Sequence, residues 1–200
     1  MQNSFQNGDL LFCREHTFGS WVNRFFQGEF QFSHVCTMYV GKDNNLPYVL
    51  TTTATTFKMI PFAEYVNNRQ YVVVRHPLLS DGTVFKAILP SNITDYLILH
   101  YMKTFYPYIT VLKLFLTGLK GQEGPSNISQ GIRQASNSSF CSEGVWMAYK
   151  EGAGINLTPG LKEEKPELVK PEDLWKNTNW QLIETNIPYY TNPEVFNHDV

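Results

Sequence analysis

Residues 138–150 read SSFCSEGVWMAYK, and this stretch decides how the rest of the chain is interpreted. Val145, Ala148 and Tyr149 recur at helical spacing, which predicts one apolar face of an α-helix. The serines of the stretch are typical helix caps, so they place Cys141 at or near a helix N-terminus. The macrodipole and the free backbone N–H groups there favour a thiolate and can hold a developing oxyanion. Cys141 is therefore a candidate nucleophile that needs a histidine from elsewhere in the fold.

The composition indicates one globular domain without the charge pattern of a nucleic-acid-binding protein. The chain has 200 residues, of which 42% are hydrophobic and 14% aromatic, and this is enough for one buried core. The formal net charge is −2, and no run of Lys or Arg occurs. We predict a single domain over residues 1–184, followed by a loosely packed tail over residues 185–200.

The three cysteines, Cys13, Cys36 and Cys141, are widely spaced and form no CxxC pair. They fit neither a disulfide framework nor a structural zinc site, so we predict a reducing compartment and no metal or other cofactor. The first nine residues lack the features of a signal peptide, which makes the cytoplasm, or the host-cell cytoplasm for a viral protein, the default location. The apolar segment 96–119 contains charged residues, which argues against a membrane span but leaves membrane contact open. The sequence indicates no oligomeric state.

Short β-rich runs bounded by turn residues predict a small antiparallel sheet. The predicted strands cover residues 9–13, 32–41, 48–53, 57–61, 70–76 and 180–183. Helices are predicted over residues 21–26 and 61–65, from residue 94 to Pro107, and from Pro171 onwards. The polar, glycine-rich segment 120–139 is expected to be a loop or lid beside Cys141.

His34 is the best candidate for a general base among the five histidines. It begins a predicted strand, so the backbone fixes its position, as a catalytic base requires. The alternative, which the strand alone does not exclude, is a histidine at the edge of the core that is satisfied by a backbone carbonyl. Taken alone, Cys141 equally fits a buried structural cysteine.

The order of three motifs resembles a known family. The motifs are GDLLF at residues 8–12, SHVCTMYVG at 33–41 and FCSEGV at 140–145. Together they are similar to the circularly permuted NlpC-like, papain-type hydrolases, the group that contains YiiX-like proteins and the lecithin retinol acyltransferases. Segments 49–65 and 168–183 extend the resemblance, which covers residues 8–184.

The resemblance implies an α+β, permuted papain-like fold, in which a small antiparallel sheet packs on helices and the nucleophile lies at a helix N-terminus. By position in the motifs, Cys141 matches the nucleophile and His34 the general base. The implied activity is that of a cysteine hydrolase or acyltransferase, which attacks an amide, peptide or acyl-ester bond and forms a thioacyl intermediate. The implied partner is a peptide, amide or lipid acyl substrate.

The chain departs from the family at the third catalytic position. The family usually offers a polar residue, often Glu, where this chain has Thr51, or Thr52 if the register slips by one. A threonine hydroxyl can accept from the imidazole N–H but carries no charge to stabilise imidazolium. Glu64 is an alternative orienting residue, and Cys36 replaces a glycine of the second motif. Two alternative functions follow: a catalytically weak or inactive binding protein on the same fold, and a membrane-associated lipid-modifying enzyme.

Overall fold

Six β-strands form the frame of the fold. They are β1 (Leu10–Arg14), β2 (His34–Val40), β3 (Pro47–Thr52), β4 (Phe57–Pro61), β5 (Gln70–Arg75) and β6 (Gln181–Thr185). All pair antiparallel, in one sheet of the order β4-β3-β2-β1-β5-β6. The six predicted strands are thereby confirmed to within a few residues at their ends.

The structure is a computed structural model, and it describes residues 4–14, 32–52, 57–80, 88–101, 137–159, 169–176 and 179–191. The predicted helix over residues 21–26, the segment 102–119 and the part of the predicted loop over residues 120–136 lie outside these ranges. Within them, no helix is both long and apolar enough to span a bilayer.

The two long helices cover one face of the sheet, and a short helix packs on the other. The helical segments are α1 (Phe62–Tyr65), α2 (Pro77–Ser80), α3 (Leu89–Tyr101), α4 (Asn137–Ala153), α5 (Pro171–Lys176) and a 3₁₀ helix (Pro188–Thr191). Helices α3 and α4 pack against each other, and α4 also packs on β2. The architecture is thus α+β, as predicted, with the long helices on one side of an antiparallel sheet.

The central strand β1 is buried on both faces, which explains its unbroken apolar run. Leu10 and Phe12 join the core under α3 and α4, whereas Leu11 and Cys13 join a second core on the opposite face. This division follows from the alternation of side chains along a strand. Tyr65 of α1 belongs to the second core, so both faces of the sheet are covered.

Helices α3 and α4 approach closely because α4 has a glycine at the contact. A Cβ atom at Gly152 would lie 2.9 Å from the backbone oxygen of Asn92 in α3, closer than such atoms approach. Glycine is therefore required there by packing. Three residues earlier on the same side of α4, the Tyr149 hydroxyl donates to the backbone carbonyl of Gly8, just before β1.

A buried ion pair fixes the start of β1 to the end of β5. The Arg75 guanidinium donates from Nε to Oδ1 of Asp9 at 2.7 Å and from Nη2 to Oδ2 at 2.8 Å. The backbone N–H of Gln6 also donates to the Asp9 carboxylate. Burial raises the pKa of Asp9, and the hydrogen bonds and charge of Arg75 offset this only in part. Asp9 therefore has a structural partner directly before β1.

Packing continues past the predicted end of the domain at residue 184. Ile187 and Tyr190 are buried, and Tyr190 stacks on Phe32 and contacts the edge of Trp175. The packed part of the chain therefore extends to residue 191, and residues 192–200 of the predicted tail lie outside the described ranges. The prediction missed this packing because the residues around Tyr190 are mostly polar, whereas its large aromatic ring buries much apolar surface by itself.

Candidate active site

The structure brings Cys141 and His34 together although they are 107 positions apart in the chain. The Cys141 Sγ atom lies 3.0 Å from His34 Nδ1 and 3.5 Å from Nε2. Both side chains are buried, with 4% and 5% of their surface exposed. His34 is the first residue of β2, and Cys141 lies on the helix that packs on that strand. The two elements therefore fix the thiol and the imidazole in contact.

Thr51 occupies the other side of the imidazole. Its Oγ1 lies 2.9 Å from His34 Nε2, and it is 3% exposed. Since Nδ1 faces the sulfur, Nε2–H donates to the threonine oxygen when His34 is protonated. Thr51 and His34 meet because β3 pairs with β2. Among the described residues, no carboxylate is bonded to His34.

The structure answers for one of the two alternatives to Thr51. Glu64 is exposed on α1, and it forms no contact with His34. Thr52 is the next residue of β3, and its side chain lies outside the part of the chain that the structure describes. The structure thus places Thr51, and not Glu64, against the imidazole.

A second layer of polar groups lies behind Thr51. Cys36 Sγ donates to Thr51 Oγ1 at 3.3 Å, and the Tyr65 hydroxyl lies 3.3 Å from Cys36 Sγ and 3.5 Å from Thr51 Oγ1. Cys13 Sγ is a further neighbour, 3.9 Å from the Tyr65 oxygen. Neither Tyr65 nor Cys36 was predicted to have a role at the site. The position of Cys36 could have been predicted, because Cys36 is two residues from His34 on β2 and side chains at this spacing share a face of the sheet. The placement of Tyr65 depends on α1 and has no local signal.

The electrostatics of the site favour a charged histidine. Burial lowers the pKa of His34, but the charges of the Cys141 and Cys36 thiolates and their hydrogen bonds raise it, so that it lies well above its ordinary value. Burial raises the pKa of Cys36, yet its hydrogen bond with Cys13 and the His34 charge lower it well below the usual range. The thiols of Cys36 and Cys141 therefore both interact with the imidazolium of His34. Among the described residues, Cys141 alone lies at hydrogen-bond distance from Nδ1, the nitrogen that does not face Thr51.

The position of Cys141 within its helix differs from the prediction. Helix α4 begins at Asn137, so Cys141 is its fifth residue and the expected serine caps lie inside the helix. Serine is tolerated in a helix interior, and no Gly or Pro between residues 137 and 141 delays the start. The prediction of a nucleophile at the N-terminus is therefore wrong by about one turn. An N–H group at the fifth position bonds to a carbonyl within the helix, so it is not a free oxyanion donor.

A pocket opens beside Cys141 between the sheet and the two long helices. Its enclosed space of about 10 Å³ holds roughly one water molecule, and its mouth is open to solvent. Its described lining consists of Val35, Thr37, Leu50, Phe57, Leu97, Tyr101, Cys141, Gly144 and Val145. The pocket is mainly apolar, and Cys141 supplies the one thiol in its described lining.

Comparison with known proteins shows the fold. No family model and no curated protein matches the chain. Among solved structures it is similar to the metalloprotein YiiX of Escherichia coli O157:H7, a DUF1105 protein. The likeness has a TM-score of 0.61 at 16% sequence identity, and it covers 92% of this chain and 99% of that one. The fold is YiiX-like. The predicted resemblance to YiiX-like proteins is confirmed at the level of fold, and identity this low carries no activity with it.

YiiX is a metalloprotein. In this chain, the residues that the structure describes do not fit a metal site. They contain no group of three His, Cys, Asp or Glu side chains that could hold an ion. The ring nitrogens of His34 face Cys141 and Thr51. The described residues therefore support no metal-dependent step in catalysis.

Proposed function

We propose that the protein is a cysteine hydrolase or acyltransferase with Cys141 as nucleophile, His34 as general base and acid, and Thr51 as the orienting residue. The observation that carries the proposal is the contact of 3.0 Å between Cys141 Sγ and His34 Nδ1, with Nε2 held by Thr51. This is the arrangement of nucleophile, base and orienting group that covalent catalysis requires. The order of histidine strand before cysteine helix supports a permuted papain-like fold.

The mechanism follows from these contacts. The Cys141 thiolate attacks the carbonyl carbon of an amide, peptide or acyl ester, and the carbonyl oxygen becomes an oxyanion. Imidazolium Nδ1–H of His34 then gives its proton to the leaving nitrogen or oxygen, and the carbon–nitrogen or carbon–oxygen bond breaks. The product is a thioester on Cys141. In the second half, His34 takes a proton from water or an acceptor nucleophile, which attacks the thioester and releases the thiolate.

Thr51 and the second layer set the tautomer of His34. A neutral hydroxyl accepts from Nε2–H and leaves Nδ1 directed at the sulfur. Thr51 adds no negative charge, so the nearest further ionisable group is the buried thiol of Cys36. We further propose a reducing, cytoplasmic location, which the wide spacing of the three cysteines in the sequence supports.

The proposal is tested by alkylation of Cys141 with iodoacetamide across pH, with the labelled site identified by peptide mass spectrometry. A thiolate paired with imidazolium reacts well below pH 8, whereas a free thiol reacts as it ionises near about pH 8.5. We expect His34→Ala to move half-maximal labelling towards the free-thiol range. His100→Ala is the matched control, because His100 is exposed on α3 and bonded to its own helix backbone.

Identical labelling curves for the parent protein and His34→Ala would contradict the proposal. That result would favour the alternative of a binding protein on the same fold, which the uncharged Thr51 motivates. A positive result justifies a screen of peptide, amide and acyl-ester substrates, with acylation of Cys141 followed by intact mass.

A further inference from the structure

A buried cysteine lies behind the residue that holds the imidazole. Cys36 is buried, and its Sγ lies 3.3 Å from Thr51 Oγ1, the atom that faces His34 Nε2. This contact follows from the sheet, because Thr37 pairs with Leu50 and the preceding residue of β2 therefore lies opposite Thr51. Cys36 also forms a hydrogen bond with His34. The mechanism proposed above makes no use of this thiol.

The surroundings of the Cys36 sulfur suit a thiolate. The hydroxyl oxygens of Tyr65 and Thr51 each lie 3.3 Å from it, and the thiol of Cys13 forms a hydrogen bond with it. Each of these three groups carries a proton that it can donate. A neutral thiol is a weak acceptor, whereas a buried anion is stable only where donors and a positive charge surround it. Three donors and the His34 ring meet this requirement around one sulfur.

The ionisable groups that face Cys36 come from three elements. His34 precedes it on β2, Cys13 lies on β1 and Tyr65 ends α1. Burial, and then the charge of Cys36, raise the pKa of Tyr65 well above its ordinary value, so the phenol stays protonated and can donate. Lys58 of the edge strand β4 is exposed to solvent. Among the described residues, His34 is thus the cation that bonds to the Cys36 sulfur.

The second half of the proposed mechanism needs a negative partner for His34. In the first half, the imidazolium is paired with the Cys141 thiolate. In the acyl-enzyme that sulfur carries an acyl group and no charge, while His34 takes a proton from water or an acceptor. Thr51 is neutral, and no carboxylate of the described residues is bonded to the ring. Cys36 is placed to balance the charge that then forms on the imidazole.

We propose that Cys36 is a positioning residue that supplies, as a thiolate, the negative charge that a carboxylate would otherwise supply to His34. As a thiol, Cys36 donates to Thr51 Oγ1, and the Thr51 proton points towards Tyr65. When Cys36 loses its proton to solvent, its sulfur becomes an acceptor. The Thr51 proton then turns towards the sulfur, while Oγ1 still accepts from Nε2–H and links imidazolium to thiolate. The inference rests on the proposed function, since it concerns the general base of the same site.

The test measures the pKa of His34 by NMR in protein that carries carbon-13 at histidine Cε1, with the resonance assigned from its loss in His34→Ala. Cys141→Ala is the background, because it removes the first thiolate, as acylation does. We expect the pKa of His34 to fall by about 1–3 pH units when Cys36→Ser is added, as the loss of a neighbouring opposite charge predicts. Cys13→Ser is the matched control, because it makes the same change in the same core and keeps a donor for Cys36. It should leave the pKa of His34 nearly unchanged.

A second measurement leaves Cys36 in place, in case Cys36→Ser folds poorly. The chain has three cysteines, so Cys13→Ser combined with Cys141→Ala leaves Cys36 as the one thiol. The S–H stretching band in the infrared then reports directly on the Cys36 proton, which a merely structural role would not remove. We expect the band to be lost well below about pH 8.5, the ordinary pKa of a free cysteine. If the double variant does not fold, Cys141→Ala alone should lose half of the band over the same range.

The outcomes separate this inference from the proposed function. A pKa of His34 that Cys36→Ser leaves unchanged overturns the inference, and so does an equal fall in Cys13→Ser, which would reflect only a more polar core. An S–H band that persists above about pH 8.5 also overturns it. None of these results depends on the reactivity of Cys141. Labelling of Cys141 that is identical in the parent protein and His34→Ala overturns the proposed function instead, whatever the charge of Cys36.

Discussion

Replacement of Tyr65 by phenylalanine removes one hydroxyl group from the layer behind Thr51. Thr51 accepts from His34 Nε2–H and from Cys36 Sγ, so its own proton has to point away from both, towards Tyr65. Without the Tyr65 oxygen, a group that can accept this proton and hold the threonine hydroxyl in this orientation is lost. The hydroxyl can then turn its proton towards His34, which removes the acceptor for Nε2–H. We therefore expect the pKa of His34 to fall in Tyr65→Phe.

The magnitude follows from a single neutral hydrogen bond. Such a bond contributes about 1 kcal/mol, which corresponds to about fivefold in the population of the thiolate–imidazolium pair. We expect labelling of Cys141 at pH 6.5 to slow by about that factor. The Tm should fall by about 2–4 °C, since 1 kcal/mol has this effect in a chain of this length.

The assay is the iodoacetamide titration between pH 5 and 9, run in parallel on the parent protein, Tyr65→Phe and Tyr71→Phe. Tyr71 belongs to the same core, and its hydroxyl donates to Glu184 at 2.6 Å, with no contact to the site. The control should lower the Tm without a change in the pH profile. Superimposable profiles for the two variants would refute the role of Tyr65 as a positioning residue.

Three further predictions concern stability, measured by urea unfolding or thermal melting. Burial lowers the pKa of His76 to about 4, so the stability present above about pH 6.5 is lost as the pH falls from 6.5 to 4. After a discount for partial exposure we expect a loss of about 1–2 kcal/mol, absent in His76→Gln. Gly152→Ala should cost about 1–3 kcal/mol because its methyl group meets the Asn92 carbonyl, and an unchanged Tm would contradict this. Asp9→Asn should cost about 3 kcal/mol, because Arg75 keeps its charge without a carboxylate; a loss below 1 kcal/mol would show that the pair is dispensable.

Local patterns predicted the sheet and most of the helices, whereas contacts across the fold set the details of the site. β-rich runs between turn residues predict each strand, and a proline directly before α1 and one at the first position of α5 made both helices predictable. The start of α4 was missed because no residue before Cys141 breaks a helix, and serines at caps and in interiors look alike in sequence.

The meeting of His34, Cys141 and Thr51 was predicted from the order of motifs, and local periodicity alone could not have predicted it. Their catalytic roles stay predictions. Tyr65 was missed because its contact with Thr51 depends on how a helix of four residues sits on the second core. Thr37 is buried, and its hydroxyl has no hydrogen-bond partner within the part of the chain that the structure describes. This too could not be predicted from sequence, since it reflects the space between the sheet and two helices.

Strand β6 is synthesised long after its partner β5, and this has a consequence for the nascent chain. Strand β5 carries the buried residues Val72, Val73 and Val74. In the sheet, one edge of β5 pairs with β1 and the other with β6. Thr185 of β6, which donates to the backbone carbonyl of Tyr71, is 114 positions further along the chain. At about 5–20 residues per second, a ribosome needs roughly 6–20 s to make the intervening segment. During that time an apolar strand edge is open to other chains. We expect chains that stop before residue 180 to keep this edge and to aggregate, and chaperones to bind the nascent protein in this interval.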